Sequence, residues 1–296
     1  MSASARFLSG DYAGAEKPLL TLFRSARATP SQRAAAAYGL CGVYWKTGNV
    51  VEQIRFALWL HSADRGGEHL ETPSRLSDLS IYWASSGWDL NMLLDAEAPV
   101  DALRSFVEQN PNLDGIRLVK YSLAVRLTRE DRYQEAADVY RSTNASRRAH
   151  RLQRLASLRQ AAEEPAMSAE QKLHARYALA EFIAANPDRI YFNDALWYGM
   201  QRYALRAGSD ERLTGKERTK LTDAERELKD SQEERWRAYL MLRDVVRDAG
   251  AGSLGRDAAS LALRCLRGIN TDRFGREEDI RRADVELSRW LREARR

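Results

Sequence analysis

Apolar side chains recur along this chain every three to four residues, and the clearest such stretch is Tyr121 to Tyr140. Leu123, Ala124 and Leu127 keep helical spacing, the polar run Thr128-Arg129-Glu130-Asp131-Arg132 interrupts them, and Tyr133, Ala136, Ala137 and Tyr140 resume it. The pattern predicts a helix, a tight turn and a second helix. Small alanines let two antiparallel helices approach closely, while Leu and Tyr side chains fill the groove between them. Alternating β-branched runs are nearly absent and Ala, Leu, Arg and Glu dominate, so the predicted fold class is all-α. Breaks are expected at Thr29-Pro30-Ser31, Arg65-Gly66-Gly67, Thr72-Pro73-Ser74, Ala98-Pro99, Asn110-Pro111-Asn112, Glu164-Pro165 and Asn186-Pro187.

Three earlier stretches align with that turn. Phe7-Leu8-Ser9-Gly10-Asp11-Tyr12 leads to Ala15, Leu40 to Gly48 carries Leu, a small residue, an aromatic and a turn glycine, and Leu76, Leu79, Ser80, Trp83 and Gly87 repeat them. The turn positions Gly10, Gly48, Gly87 and Asp131 recur at about forty residues, against about 34 for a standard tetratricopeptide repeat. The chain resembles that family, with long and degenerate repeats over roughly its first two thirds. Leu173 to Ala185 and Ile190 to Leu205, split by Asn186-Pro187-Asp188, fit the same helix-turn-helix logic. The resemblance implies an α-solenoid of stacked antiparallel helix pairs wound as a right-handed superhelix over residues 1–207. Two departures stand out. Pro18 falls inside the expected second helix of the first pair, where it must kink the helix or mark a later start, and Gln53 replaces the alanine expected after Gly48.

Beyond Ala207 the texture changes. Lys216 to Asp248 reads as one long helix, capped at Thr222 or Asp223, and Ser253 to Arg267 and Arg276 to Arg295 as two more. Residues 208–296 are therefore expected to form a helical extension continuous with the solenoid, with Leu287, Trp290 and Leu291 on the inner face of a terminal cap.

Chemistry narrows the field mostly by exclusion. Gly250-Ala251-Gly252-Ser253-Leu254-Gly255 has the glycine spacing of a dinucleotide loop, but it follows a helical pattern where a strand is required; a helix stop and a Ser cap account for it. Gly208 to Lys216 fails the phosphate-loop pattern, because Glu217 stands where a hydroxyl is needed. His61, Asp64, Glu68 and His69 flank Gly66-Gly67 without defined metal geometry, and no nucleophile motif appears. We therefore expect no enzyme activity and no cofactor. Cys41 and Cys265, the only cysteines, read as small core residues. There is no run of apolar residues long enough to span a membrane, and no secretory signal pattern at Met1 to Gly10, so a cytoplasmic address is expected; the start close to the first turn suggests a truncated first helix. A net charge of +5 spread over 47 basic and 42 acidic residues does not by itself imply nucleic acid.

Two binding surfaces remain as expectations. By the family resemblance, the first helix of each repeat lines a concave groove, which places Tyr38, Trp45 and Lys46 from one repeat and Tyr121 and Arg129 from another against a protein or peptide partner. Packing between helices is an equally good account of Trp45. Gly42 and Val125 stand where the family's carboxylate-clamp asparagines would be, so that mode is not expected. The second surface is basic: Arg141 to Gln160 holds six arginines and His150 with no acid, and Arg147, Arg151 and Arg154 share one helix face. It would suit nucleic acid or an acidic partner, although a solvated face is the commoner outcome. The dense aromatic run Tyr191, Phe192, Trp197, Tyr198 and Tyr203 is expected to be core. The function expected is that of a non-enzymatic scaffold or adaptor; nucleic-acid binding and a helical accessory role in an enzyme complex are the alternatives.

Overall fold

The structure, a computed structural model, describes residues 2–65, 87–197, 230–269 and 276–296. Among these residues every regular element is helical, and none is a strand. In chain order they are α1 (Ala3–Leu8), α2 (Tyr12–Arg24), α3 (Pro30–Thr47), α4 (Val50–Arg65), α5 (Gly87–Met92, running into a π-helical turn Leu93–Glu97), α6 (Val100–Gln109) and α7 (Ile116–Arg129). Then follow α8 (Tyr133–Ser142), α9 (Ser146–Glu163), α10 (Ala169–Ala184), α11 (Glu234–Ala249), α12 (Ser253–Arg267) and α13 (Glu277–Glu293). The chain divides into two compact units, residues 1–123 and 124–296, with the division falling inside α7.

In the first unit α1 packs on α2, α2 on α3 and α3 on α4. Each hairpin turn has a local cause. Gly10 and Gly48 take the left-handed conformation, φ 82° and 73°, which a side chain would strain. Asp11 caps α2 by accepting the Gly14 amide at 2.9 Å. A capping box between Thr29 and Gln32, with Pro30 in the first turn, starts α3. The middle of α3 is small on its contact faces, with Ala34, Ala36, Ala37, Gly39, Cys41 and Gly42 all buried, so neighbours approach on both sides. At Gly39 a Leu19 methyl lies 2.9 Å from where a β-carbon would stand. Pro18 neither delays nor ends α2, which continues through it.

The second unit stacks α8 on α9, α9 on α10, α10 on α11, α11 on α12 and α12 on α13. Tyr133, Ala136, Ala137 and Tyr140 of α8 are buried as the periodicity requires, as are Leu123, Ala124 and Leu127 of α7. The turn between them is closed by amide bonds from Asp131 to Thr128 and from Arg132 to Leu127, with Asp131 at φ 60°. Ile280, Ala283, Leu287 and Leu291 form the buried stripe of α13.

Three expectations need correction. The single helix foreseen over Lys216 to Asp248 is interrupted, because Glu233 is extended and α11 begins only at Glu234. The helix foreseen from Ile190 to Leu205 does not form over its described part: residues 190–197 are irregular, and all but Asp194 and Ala195 are buried. The cap of α12 is Gly252, not Ser253; Gly250 ends α11 at φ 60° and Gly255 lets the Gly250 carbonyl pass against α12, which explains the glycine spacing without a nucleotide. The repeat at Leu76 to Trp83, the breaks at Gly66-Gly67 and Thr72-Pro73-Ser74, Glu68, His69, Gly208 to Glu217, the caps Thr222 and Asp223, Tyr198 and Tyr203 lie outside the described residues.

Candidate functional site

The irregular segment 188–197 is the most demanding part of the second unit, because a buried stretch with no helix must find partners for its backbone elsewhere. Ile190, Tyr191, Phe192, Asn193, Leu196 and Trp197 are all essentially sealed from solvent. Charged side chains from three helices supply the missing bonds. Arg129 at the end of α7 donates from Nε to the Tyr191 carbonyl at 3.0 Å. Arg148 on α9 donates to the carbonyls of Phe192 and Ile190 at 3.0 and 3.5 Å, and pairs with Asp194 at 2.8 Å. Glu234 at the start of α11 accepts the amides of Tyr191 and Ile190 at 3.1 and 3.4 Å through Oε1. Burial pushes the Glu234 carboxyl above its ordinary range, and the backbone amides pull in the opposite direction.

Beside this segment Asp131, at the α7–α8 turn, gathers three donors. Its Oδ1 accepts from the Tyr133 hydroxyl at 2.7 Å and from Arg237 Nη2 at 2.8 Å, and its Oδ2 pairs with Arg159 at 2.9 Å. A carboxylate only accepts, so Tyr133 gives it its one hydroxyl hydrogen and accepts from the Tyr191 hydroxyl 2.8 Å away. Arg237 also lies 4.2 Å from the centre of the Tyr191 ring. Burial pushes the Tyr191 hydroxyl up to about 12 despite the opposing charge of Arg237, so both tyrosines stay neutral at any ordinary pH. Every member of this cluster holds another in place. A cleft of about 360 Å³ lies over it, bounded by Arg132, Glu135, Arg159 and Glu163, but its charges are matched internally by the Arg132–Glu135 and Arg159–Glu163 pairs.

The residues singled out by sequence distribute as follows. In the first unit Tyr38 is 4% exposed, whereas Trp45, at the last turn of α3, is 39% exposed and has the Lys46 ammonium 3.9 Å from its ring centre. Tyr121 on α7 is half-buried. In the second unit Arg129 is half-buried and engaged with segment 188–197. The basic stretch separates by helical phase: Arg148 turns inward, Arg141 pairs with Asp138, and Arg159 pairs with Asp131 and Glu163. Arg147 and Arg154 are exposed and form no ion pair among the described residues; Arg151 lies half-buried on the same face. Asp131, Arg148, Glu234 and Arg237 were not foreseen. The signal for two of them was present: Arg148 shares the phase of Leu152 and Leu155, and Glu234 that of Ala238, Leu242 and Val245, so each is a lone charge on an apolar stripe.

Cys41 and Cys265 are both buried free thiols, and burial pushes the latter up to about 11. Among the described residues no group of His, Cys, Asp and Glu could hold a metal ion, and no helix is long and apolar enough to cross a membrane. No family model, curated protein or solved structure matches the chain.

Proposed function

We propose that the chain is a tetratricopeptide-like scaffold, without catalytic activity of its own, whose repeats hold a protein or peptide segment. The observation that carries this reading is Trp45. Few large apolar side chains among the described residues are comparably exposed, and this one is a tryptophan stiffened by a cation, placed at the end of the best-formed repeat helix in a hairpin of matching turn geometry. Exposed tryptophan and neighbouring basic residues are frequent anchors of protein interfaces. Serial packing of neighbouring helices within each unit, with Gly10, Gly48 and Asp131 at left-handed turn positions, supports the repeat assignment. The test is affinity capture from native lysate with wild-type protein and with Trp45→Ala/Lys46→Glu, each with and without nuclease. A discrete set of proteins that survives nuclease and is lost in the variant is the expected result; an unchanged set removes Trp45 from the interface.

One observation favours a second reading. Arg147 and Arg154, exposed on the outer face of α9, form no ion pair among the described residues, which suits an anionic partner. Binding of an oligonucleotide through that face would weaken steeply with salt and be reduced by Arg147→Gln/Arg154→Gln.

A further inference from the structure

A cavity in the first unit has no part in the scaffold reading. It measures about 780 Å³ and is enclosed by α2, the start of α3, α4 and the α6–α7 connection. A volume of that size is in the range of small-molecule sites, about 300–1,000 Å³. Its wall is aromatic. Phe23 stands edge-on to Phe56 and to Trp59, with ring centres 5.1 and 4.9 Å apart and planes at 82° and 78°. Leu58 and Leu113 extend the apolar surface. The three rings come from two helices and fix one another by perpendicular contacts, so the wall is preformed.

The polar lining is unbalanced. Three arginines, Arg24, Arg33 and Arg55, face two acids, Glu52 and Asp114. Arg55 is matched by Glu52 at 3.1 Å. Arg24 forms no ion pair among the described residues. Arg33 gives one Nη2 bond to the Ser25 carbonyl at 3.2 Å, while its Nε is buried without a hydrogen-bond partner. A buried guanidinium nitrogen without an acceptor is costly, and an anion beside it relieves that cost. Apolar surface alone would accept any hydrophobe. Two guanidinium groups without an ion pair among the described residues, at the edge of an aromatic wall, select a molecule with a flat apolar body and a carboxylate.

We propose that this cavity is a binding site for a small aromatic or arylalkyl carboxylate, its ring laid against Phe23, Phe56 and Trp59 and its carboxylate held by Arg33 and Arg24. The proposal is independent of Trp45 and of any protein partner. The probe is 2-naphthoate, compared with its neutral isostere 2-naphthamide, titrated calorimetrically into the full chain. Wild-type protein binds naphthoate more tightly than naphthamide by about tenfold or more, the equivalent of about 1.4 kcal/mol. Arg24→Gln/Arg33→Gln abolishes that preference while leaving naphthamide affinity and the helical circular dichroism unchanged. Trp59→Leu weakens both probes, and Trp45→Ala weakens neither. Equal affinity for acid and amide in wild type would overturn the assignment, as would absence of binding. Retention of the acid preference in the double arginine variant would overturn it too. Binding confined to acidic peptides that naphthoate fails to displace would replace the small-molecule site with a peptide one and also refute it.

Discussion

Replacing Asp131 by Asn tests whether the turn between α7 and α8 is pinned by charge or only by backbone geometry. Asparagine tolerates the left-handed conformation at φ 60° and has nearly the same shape, so the backbone cost is small. What changes is the acceptor. Arg237 and Tyr133 both donate to Oδ1, and Arg159 to Oδ2; an amide retains one oxygen and aims an NH₂ group at whichever donor faces the other side. The Arg159 pair is exposed at 37% and 27% side-chain accessibility, which limits its share to about 0–1 kcal/mol. Arg237, at 19%, loses a largely desolvated partner, and hydrogen bonds to charged groups are worth about 1.5–3 kcal/mol each. The expected total is about 2–4 kcal/mol. At about 2–4 °C per kcal/mol for a unit of this size, thermal unfolding should move down by roughly 5–15 °C. The assay is urea and thermal unfolding followed by far-ultraviolet circular dichroism, with an Asp131/Arg237 double-mutant cycle to isolate their coupling. A loss below about 0.5 kcal/mol, or a coupling indistinguishable from zero, would show that water serves these groups as well as they serve one another.

Arg148→Ala should cost about 3 kcal/mol or more, because it strands two buried carbonyls, whereas Arg147→Ala and Arg154→Ala should each stay within about 0.5 kcal/mol; urea midpoints decide the order, and equal effects would refute the inward assignment of Arg148. Glu234 is held above its ordinary carboxyl value of 4.5, so the stability it contributes is complete below that value and is withdrawn as pH rises through the folded one. Stability of wild type relative to Glu234→Gln should accordingly decline as pH rises above the ordinary carboxyl value of 4.5, and a rise with pH there would contradict the cause assigned to the shift. Gly255→Ala places a β-carbon 1.9 Å from the Gly250 carbonyl and should lower stability by about 1–3 kcal/mol, more than Gly48→Ala, where space is open and only the positive φ penalises a side chain.

The helices were largely legible in the sequence because their information is local. Period, cap and turn residue all lie within a few positions, and Tyr121 to Tyr140 states both helices and the turn in one stretch. The same locality explains the errors. Residues 190–197 look helical by spacing, yet their amides and carbonyls are taken by Arg129, Arg148 and Glu234, which lie tens of residues away. Long-range satisfaction of backbone groups leaves no period to detect. Glu233 and Glu234 likewise fall inside the stretch expected to be one long helix, although one leaves the helix and the other turns inward.

The arginines make the same point about recognition. Counted along the chain, Arg141 to Gln160 is a basic block without an acid. In space the acids arrive from outside the block: Asp138, Asp194, Asp131 and Glu163 neutralise Arg141, Arg148 and Arg159. Only Arg147 and Arg154, exposed on the outer face without an ion pair among the described residues, are relevant to an anionic partner. The first unit shows the converse. Arg24, Arg33 and Arg55 are widely spaced in sequence and form no dense basic block, yet they meet at one cavity where, among the described residues, only Arg55 is paired with an acid. Charge density in sequence thus overstates one site and conceals the other, because recognition depends on the imbalance left after folding has paired what it can.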